Sequence, residues 1–161
     1  MRPVLLATDG SPTAEKATET AIELALALDT ELVIVSVWNI PYTTVGFAAA
    51  PVNGELAKLS EEQARKLTVE AAARAEEAGV EARSVVLRGL PVEEICVAAE
   101  TFKPRFLIVG SHGWGAVKRA LFGSVSTGVL HHATCPVLVV RGGRAQGEAA
   151  AVNGAQTRAH A

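Results

Sequence analysis

Hydrophobic positions in this chain alternate between two patterns: short, near-continuous runs of branched residues, and longer stretches with small apolar residues every three or four positions. Pro3 to Asp9 opens with Val4-Leu5-Leu6-Ala7 and ends in T-D-G-S-P, the turn chemistry that closes a buried strand. From Pro12 to Leu28 the pattern is helical. Ala14, Ala17, Ala21, Leu24, Ala25 and Leu28 share one side, while Glu15, Lys16, Glu19 and Glu23 take the other. Glu31 to Trp38 holds Leu32, Val33, Ile34, Val35 and Val37, which suits a strand covered on both faces.

Asn39 to Glu55 carries Pro41, Gly46, Pro51 and Gly54 and reads as a long loop. Ser60-Glu61-Glu62-Gln63 has the form of a capping box, which predicts a helix from Ser60 to Gly79 with Ala64, Leu67, Ala71, Ala75 and Ala78 buried. A third strand is predicted from Glu81 to Leu87. A helix opened by Pro91 follows, with Val92, Ile95, Ala98 and Ala99 facing inward. A fourth strand spans Arg105 to Gly110, then a glycine-rich loop and short helix to Phe122, a helix from Ser124 to Ala133, and a last strand from Pro136 to Arg141. Such alternation of strand and helix predicts an α/β fold with a parallel sheet and right-handed crossovers. Gly142 to Ala161 is poor in large apolar residues and reads as a disordered tail after a single domain, 1–141.

Composition narrows the function. The 161 residues fit one domain of roughly 150 residues. Fifteen Lys+Arg against seventeen Asp+Glu give a formal net charge of -2, which provides no overall footprint for nucleic acid or an anionic membrane. Cys96 and Cys135 form no C-x-x-C pattern, so they read as structural thiols in a reducing compartment. The apolar run at the N-terminus is too short for a signal peptide, and no later segment is long enough to span a bilayer. These features place the protein in the cytoplasm.

In open α/β sheets ligands bind beyond the carboxyl ends of the strands, at the point where the strand order reverses. After the first strand stand Asp9, Gly10 and Ser11. After the fourth stands Gly110-Ser111-His112-Gly113-Trp114-Gly115, and Gly123-Ser124-Val125-Ser126 opens the next helix. Glycines let a backbone approach an anion, and the free N–H groups of a helix start favour negative charge. The hydroxyls of Ser124 and Ser126 can reach a phosphate-bound magnesium ion. The spacing alone leaves two readings, a phosphate cradle or a tight connection. It is not a P-loop, because Ala116 stands where the lysine must be.

The run Gly110-x2-Gly113-x9-Gly123-Ser124, with V-G-S-H-G, the T-D-G-S turn and the final C-P-V-L-V-V strand, resembles the universal stress protein family from Arg2 to Arg141. The glycine spacing is that of the family's ATP-binding branch. The resemblance implies a three-layer, Rossmann-like sandwich, akin to the adenine nucleotide alpha hydrolase-like folds, with five parallel strands in the order 3-2-1-4-5. It also implies a homodimer joined through the last strand. Asp9 would hydrogen-bond the ribose, and the backbone at Val37 would meet the adenine edge. Gly110 would lie beside the ribose, and Val109 would be among the nucleotide-binding residues. Gly113, Gly123, Ser124, Val125 and Ser126 would hold the phosphates of ATP with its magnesium. The chain departs from the family pattern at Ser36, where a histidine is common, and at Trp114-Gly115.

Other residues keep blander alternatives. Asp9 also suits a helix-capping turn. His112 is expected to hydrogen-bond within the loop beside the phosphates, since no carboxylate close in sequence orients it as a base. His131 and His132 suit the negative end of a helix. Trp38 and Trp114 can stack on a base or pack at a loop, and Lys118 and Arg119 can steer phosphates or simply be solvated. Val137 to Val140 is apolar on both faces, and an edge of that kind invites a second copy. Three functions follow: an ATP-responsive stress sensor with an unidentified protein partner, a slow ATPase or phosphoryl-transfer enzyme, and a nucleotide-free dimeric interaction module.

Overall fold

Leu5 and Leu6, Val33 and Ile34, and Leu107 and Ile108 are consecutive pairs in which both side chains are fully buried. Consecutive strand residues point to opposite faces, so a sheet built this way must be covered on both sides. The computed structural model, which describes residues 1–39, 50–113 and 122–142, shows how. Strands β1 (Val4–Ala7), β2 (Leu32–Trp38), β3 (Ala82–Arg88), β4 (Phe106–Gly110) and β5 (Val137–Val140) alternate with helices α1 (Pro12–Ala27), α2 (Ala50–Glu77), α3 (Pro91–Phe102) and α4 (Ser124–His132). All pairings are parallel, in the order β3-β2-β1-β4-β5, as expected from the resemblance.

Each face has its own core. Val4, Leu6, Ile34 and Ile108 pack with Ala17, Ala21 and Ala25 of α1 and Ala71, Ala72 and Ala75 of α2. On the other face Leu5, Val33, Val35 and Leu107 pack with Ile95, Ala98 and Ala99 of α3 and Val129 of α4. The alanines on α1 and α2 let those helices lie close to the sheet. Arg74 reaches from α2 to Glu15 (2.7 Å) and Glu19 (3.9 Å) of α1, but these exposed pairs add little to the apolar contact.

Local chemistry sets the helix ends. Ser11 caps α1, its side chain accepting from the Ala14 N–H, and Pro12 takes the first helical position. Gly79 (φ 86°) stops α2 as predicted. The start of α2 differs from the prediction. The helix begins at Ala50, ten residues before Ser60, so the Ser60–Gln63 capping box does not form and Ser60 is internal. Pro51 falls in the first turn, where its missing N–H costs nothing. Gly54 is outweighed by Glu55, Leu56, Ala57, Lys58 and Leu59, all of them residues that favour helix strongly. The expected loop from Asn39 is shortened accordingly. The short helix before Phe122 and most of the expected tail lie outside the described residues.

The packing of α1 against the sheet depends on Gly110. A Cβ there would stand 2.8 Å from the Ala14 nitrogen and 2.9 Å from the Thr13 carbonyl carbon, both backbone atoms that cannot rotate away. Gly110→Ala is therefore expected to destabilise the fold by about 1–3 kcal/mol, read as a lower urea midpoint with an unchanged slope.

Candidate functional site

The strands do not end level. The β1–β2 ladder closes at Ala7↔Val35, with one further bond from the Thr8 N–H to the Val35 carbonyl, while β2 runs on through Ser36, Val37 and Trp38. Peptide groups of a parallel strand turn alternately to its two neighbours. The Trp38 carbonyl accepts from Gly89 on the β3 side, so the Val37 N–H and C=O turn to the β1 side, where the strand has stopped. The carboxyl edge there opens into a cleft of about 460 Å³, within the usual range for small-molecule sites.

The ten residues that the family resemblance assigned to the nucleotide, or placed beside it, all line this cleft. Asp9, Val37, Val109 and Gly110 come from the strand ends. His112 and Gly113 follow β4, and Gly123, Ser124, Val125 and Ser126 enter α4. Sequence reasoning missed Ala7, Thr8, Ala14, Pro91 and Phe122. Pro91 was legible in principle, since a helix following a parallel strand starts at the carboxyl edge of the sheet. Phe122 carried no signal beyond its place before Gly123.

The loop leaving β4 is clamped at both ends. Gly123 N–H donates to the Ser111 carbonyl (2.7 Å), and the buried Ser126 hydroxyl lies 2.9 Å from that carbonyl and 3.0 Å from that of Gly123. The His112 carbonyl accepts from the Ser11 hydroxyl (3.1 Å) and from that of Thr13. Its ring Nδ1 lies 3.0 Å from the Ser111 hydroxyl, so His112 does hydrogen-bond within the loop. The Ser126 hydroxyl thus directs its proton to main-chain carbonyls. Ser124 is exposed.

Asp9 forms the turn that one of its two readings expected. Oδ1 accepts from the Ser11 N–H (3.0 Å), forming a turn before α1, while Oδ2 stands 2.6 Å from where a Cβ on residue 113 would lie. A side chain at 113 would have to push the Asp9 carboxylate aside, so Gly113 lets the strand-one and strand-four loops lie close together. Gly123 is different. Its φ of -74° and ψ of 168° are open to any residue, and a Cβ there would meet its neighbours at ordinary distances of 3.4 Å or more. Nothing in the described fold calls for glycine at 123.

Beyond Gly123, the first intrahelical bond of α4 is Thr127 N–H to the Gly123 carbonyl. The N–H groups of Ser124, Val125 and Ser126 are the donors that a helix start leaves without an intrahelical partner, and among the described residues no side chain caps them. They carry the positive end of the helix dipole at the cleft. Among the described residues no cluster of three His, Cys, Asp or Glu could hold a metal.

Residues 1–141 match the model of the Universal stress protein family. The chain belongs to the universal stress protein family. A universal stress protein of Methanocaldococcus jannaschii, MJ0531, is 31% identical over 141 residues, covering 86% of this chain and 81% of that one. The solved structure of hypothetical protein MJ0577 superposes with a TM-score of 0.79 at 27% identity, over 89% of this chain and 98% of that chain. A universal stress protein solved in complex with cAMP superposes with a TM-score of 0.64 at 26% identity, over 86% of this chain and 96% of that chain.

The remaining candidates lie apart from the cleft or outside the described residues. Trp38 packs under the Arg88 guanidinium, 5.3 Å from its ring centre, and does not line the cleft. Trp114, Gly115, Lys118 and Arg119 fall outside the described residues. Cys96 and Cys135 are free, and burial raises both thiol pKa values; Glu100 adds to the rise at Cys96, while Arg2 opposes it at Cys135. Such thiols are poor nucleophiles at neutral pH, in keeping with a structural role. No described helix is long and apolar enough to cross a membrane.

The clamp is testable. Ser126→Ala should destabilise the protein by about 1 kcal/mol, the usual net worth of a buried hydrogen bond, and speed amide exchange at Gly123, while a distant hydroxyl change such as Thr20→Ala should leave Gly123 unaffected.

Proposed function

We propose that this universal stress protein binds ATP as Mg-ATP and works as a nucleotide-responsive regulator with little or no fast catalysis. The observation that carries the reading is the α4 start. Three N–H groups with no partner among the described residues face a cleft beside Gly123, a glycine the described fold does not need, which is the arrangement a phosphate requires. At the other end of the cleft, the free Val37 peptide groups and the apolar Val109 and Pro91 suit the edge and face of an adenine. Asp9 Oδ2 suits a ribose hydroxyl. The relative solved with cAMP supports an adenine nucleotide as the ligand class. Magnesium would be held by the phosphates, with the hydroxyl oxygens of Ser124 and Ser126 as the nearby protein groups; the Ser126 proton is directed to main-chain carbonyls, which leaves its oxygen lone pairs.

A regulator of this kind reads ATP through stability. A ligand at a hundredfold excess over its Kd adds about 2.7 kcal/mol to the folded state, equivalent to ~5–10 °C in Tm for a domain of this size. A protein partner would then recognise the nucleotide-stabilised state. Denaturing freshly purified protein should release an adenine nucleotide, and Mg-ATP should raise the Tm of the emptied protein by that amount. Gly123→Ala should melt within about 2 °C of the wild type, yet lose ATP binding by titration calorimetry. A wild type that neither releases nor binds nucleotide would leave the dimeric interaction module as the better reading.

We also propose that the protein forms a homodimer through β5. Both sheet edges are open among the described residues, but Arg83 and Arg88 guard β3, whereas β5 presents only Val137–Val140. Val137 and Val139 pack toward α3 and α4, while Leu138 remains 38% exposed on the other face. Unguarded apolar edges pair with other chains. Leu138→Lys should convert a dimer to a folded monomer in multi-angle light scattering; a dimer that persists in the variant would overturn the β5 interface.

A further inference from the structure

We infer that the contact between Val92 of α3 and Gly128 of α4 is the spacer that sets the distance between the base end and the phosphate end of the cleft. The inference rests on the nucleotide reading above.

Gly128 lies in the middle of a nine-residue helix, where glycine is the poorest former after proline. Its φ is not positive, so no backbone conformation calls for it. The reason lies on the neighbouring helix. A Cβ at residue 128 would stand 2.7 Å and 3.0 Å from the two γ carbons of Val92 and 3.4 Å from its Cβ. A β-branched side chain in a helix is held to one dominant rotamer, so the valine methyls cannot swing aside. Any side chain at 128 therefore separates the helices.

That separation would act directly beneath the cleft. Ser124 sits one turn from Gly128 on the same helix face, and Pro91 adjoins Val92; both Ser124 and Pro91 line the cleft. The α3 side contributes the apolar wall near Val37, and the α4 side contributes the free N–H groups. A ligand bound at both ends senses the spacing, whereas one bound only at the base end does not. Gly128 and Val92 are thus positioning residues, acting through α4 and not by touching the ligand.

The test compares ATP, by calorimetry, with adenosine, by NMR shift titration, which reads millimolar binding. The proteins are the wild type, Gly128→Ala and the double variant Val92→Ala/Gly128→Ala. The expected result is a folded Gly128→Ala protein that binds ATP about tenfold more weakly, the cost of one impaired charge-assisted hydrogen bond, with adenosine affinity unchanged. The double variant should recover ATP affinity, because the shorter residue 92 makes room for the new methyl group. Unchanged ATP affinity, equal losses for both ligands, or failure of the double variant to recover would overturn the spacer. Should Gly128→Ala alone fail to fold, recovery of both the fold and ATP binding in the double variant would support it, and a folded double variant without ATP binding would overturn it. A wild type that binds neither ligand overturns the nucleotide reading itself, which separates the two failures.

Discussion

β1 is only four residues long, and both strands that pair with it continue past its end. That shortfall is the constraint on which the functional end of the molecule depends. It leaves the Val37 peptide groups without a partner strand, and it brings the turn at Asp9 beside the loop that leaves β4. The sheet order reverses at the same strand, with β2 on one side and β4 on the other, so the two loops diverge and leave a cleft between them. Extending β1 by two residues would close the ladder against Val37 and fill the space.

The glycines around the cleft are there for separate reasons. Gly110 is excluded from bearing a side chain by the backbone of the first turn of α1, whereas at Gly113 a side chain would displace the Asp9 carboxylate. Gly123 has room for a methyl group and an ordinary backbone conformation. Among the described residues nothing in the fold calls for that glycine. Gly128 is a third case, a helix-weakening residue retained where two helices touch. One short stretch of chain thus mixes glycines that the packing needs with one that the described packing does not.

The sheet edges show a similar division. Both cores are made of aliphatic residues buried on the inner strands, so stability resides in β2, β1 and β4. The outer strands are free to differ, with arginines at both ends of β3 and an unguarded apolar stretch in β5. The β5 edge carries no charge that would oppose pairing with another strand, whereas the arginines of β3 do.

Most of the architecture could be read from the sequence because local patterns decide it. Consecutive buried residues in Val4–Ala7, Leu32–Val35 and Phe106–Val109 require a sheet covered on both faces, and Ser11-Pro12, Gly79 and Pro91 mark helix ends by their own chemistry. The ten candidate site residues were legible because they follow strand ends and include the glycines and hydroxyls that favour anions. The beginning of α2 was not legible, since Pro51 and Gly54 resemble loop residues until the first-turn position of the proline is known. Nor could the sequence sort the glycines, commit the Ser126 hydroxyl to the Ser111 and Gly123 carbonyls, or place Pro91 and Phe122 in the cleft wall. These facts depend on distances between segments far apart in the chain, such as Gly110 against Thr13 and Gly128 against Val92. Hydrophobic period and turn chemistry are local properties, so the sequence by itself determined the elements and their order; which atoms are left free to meet a ligand was decided only when the packed sheet brought those segments together.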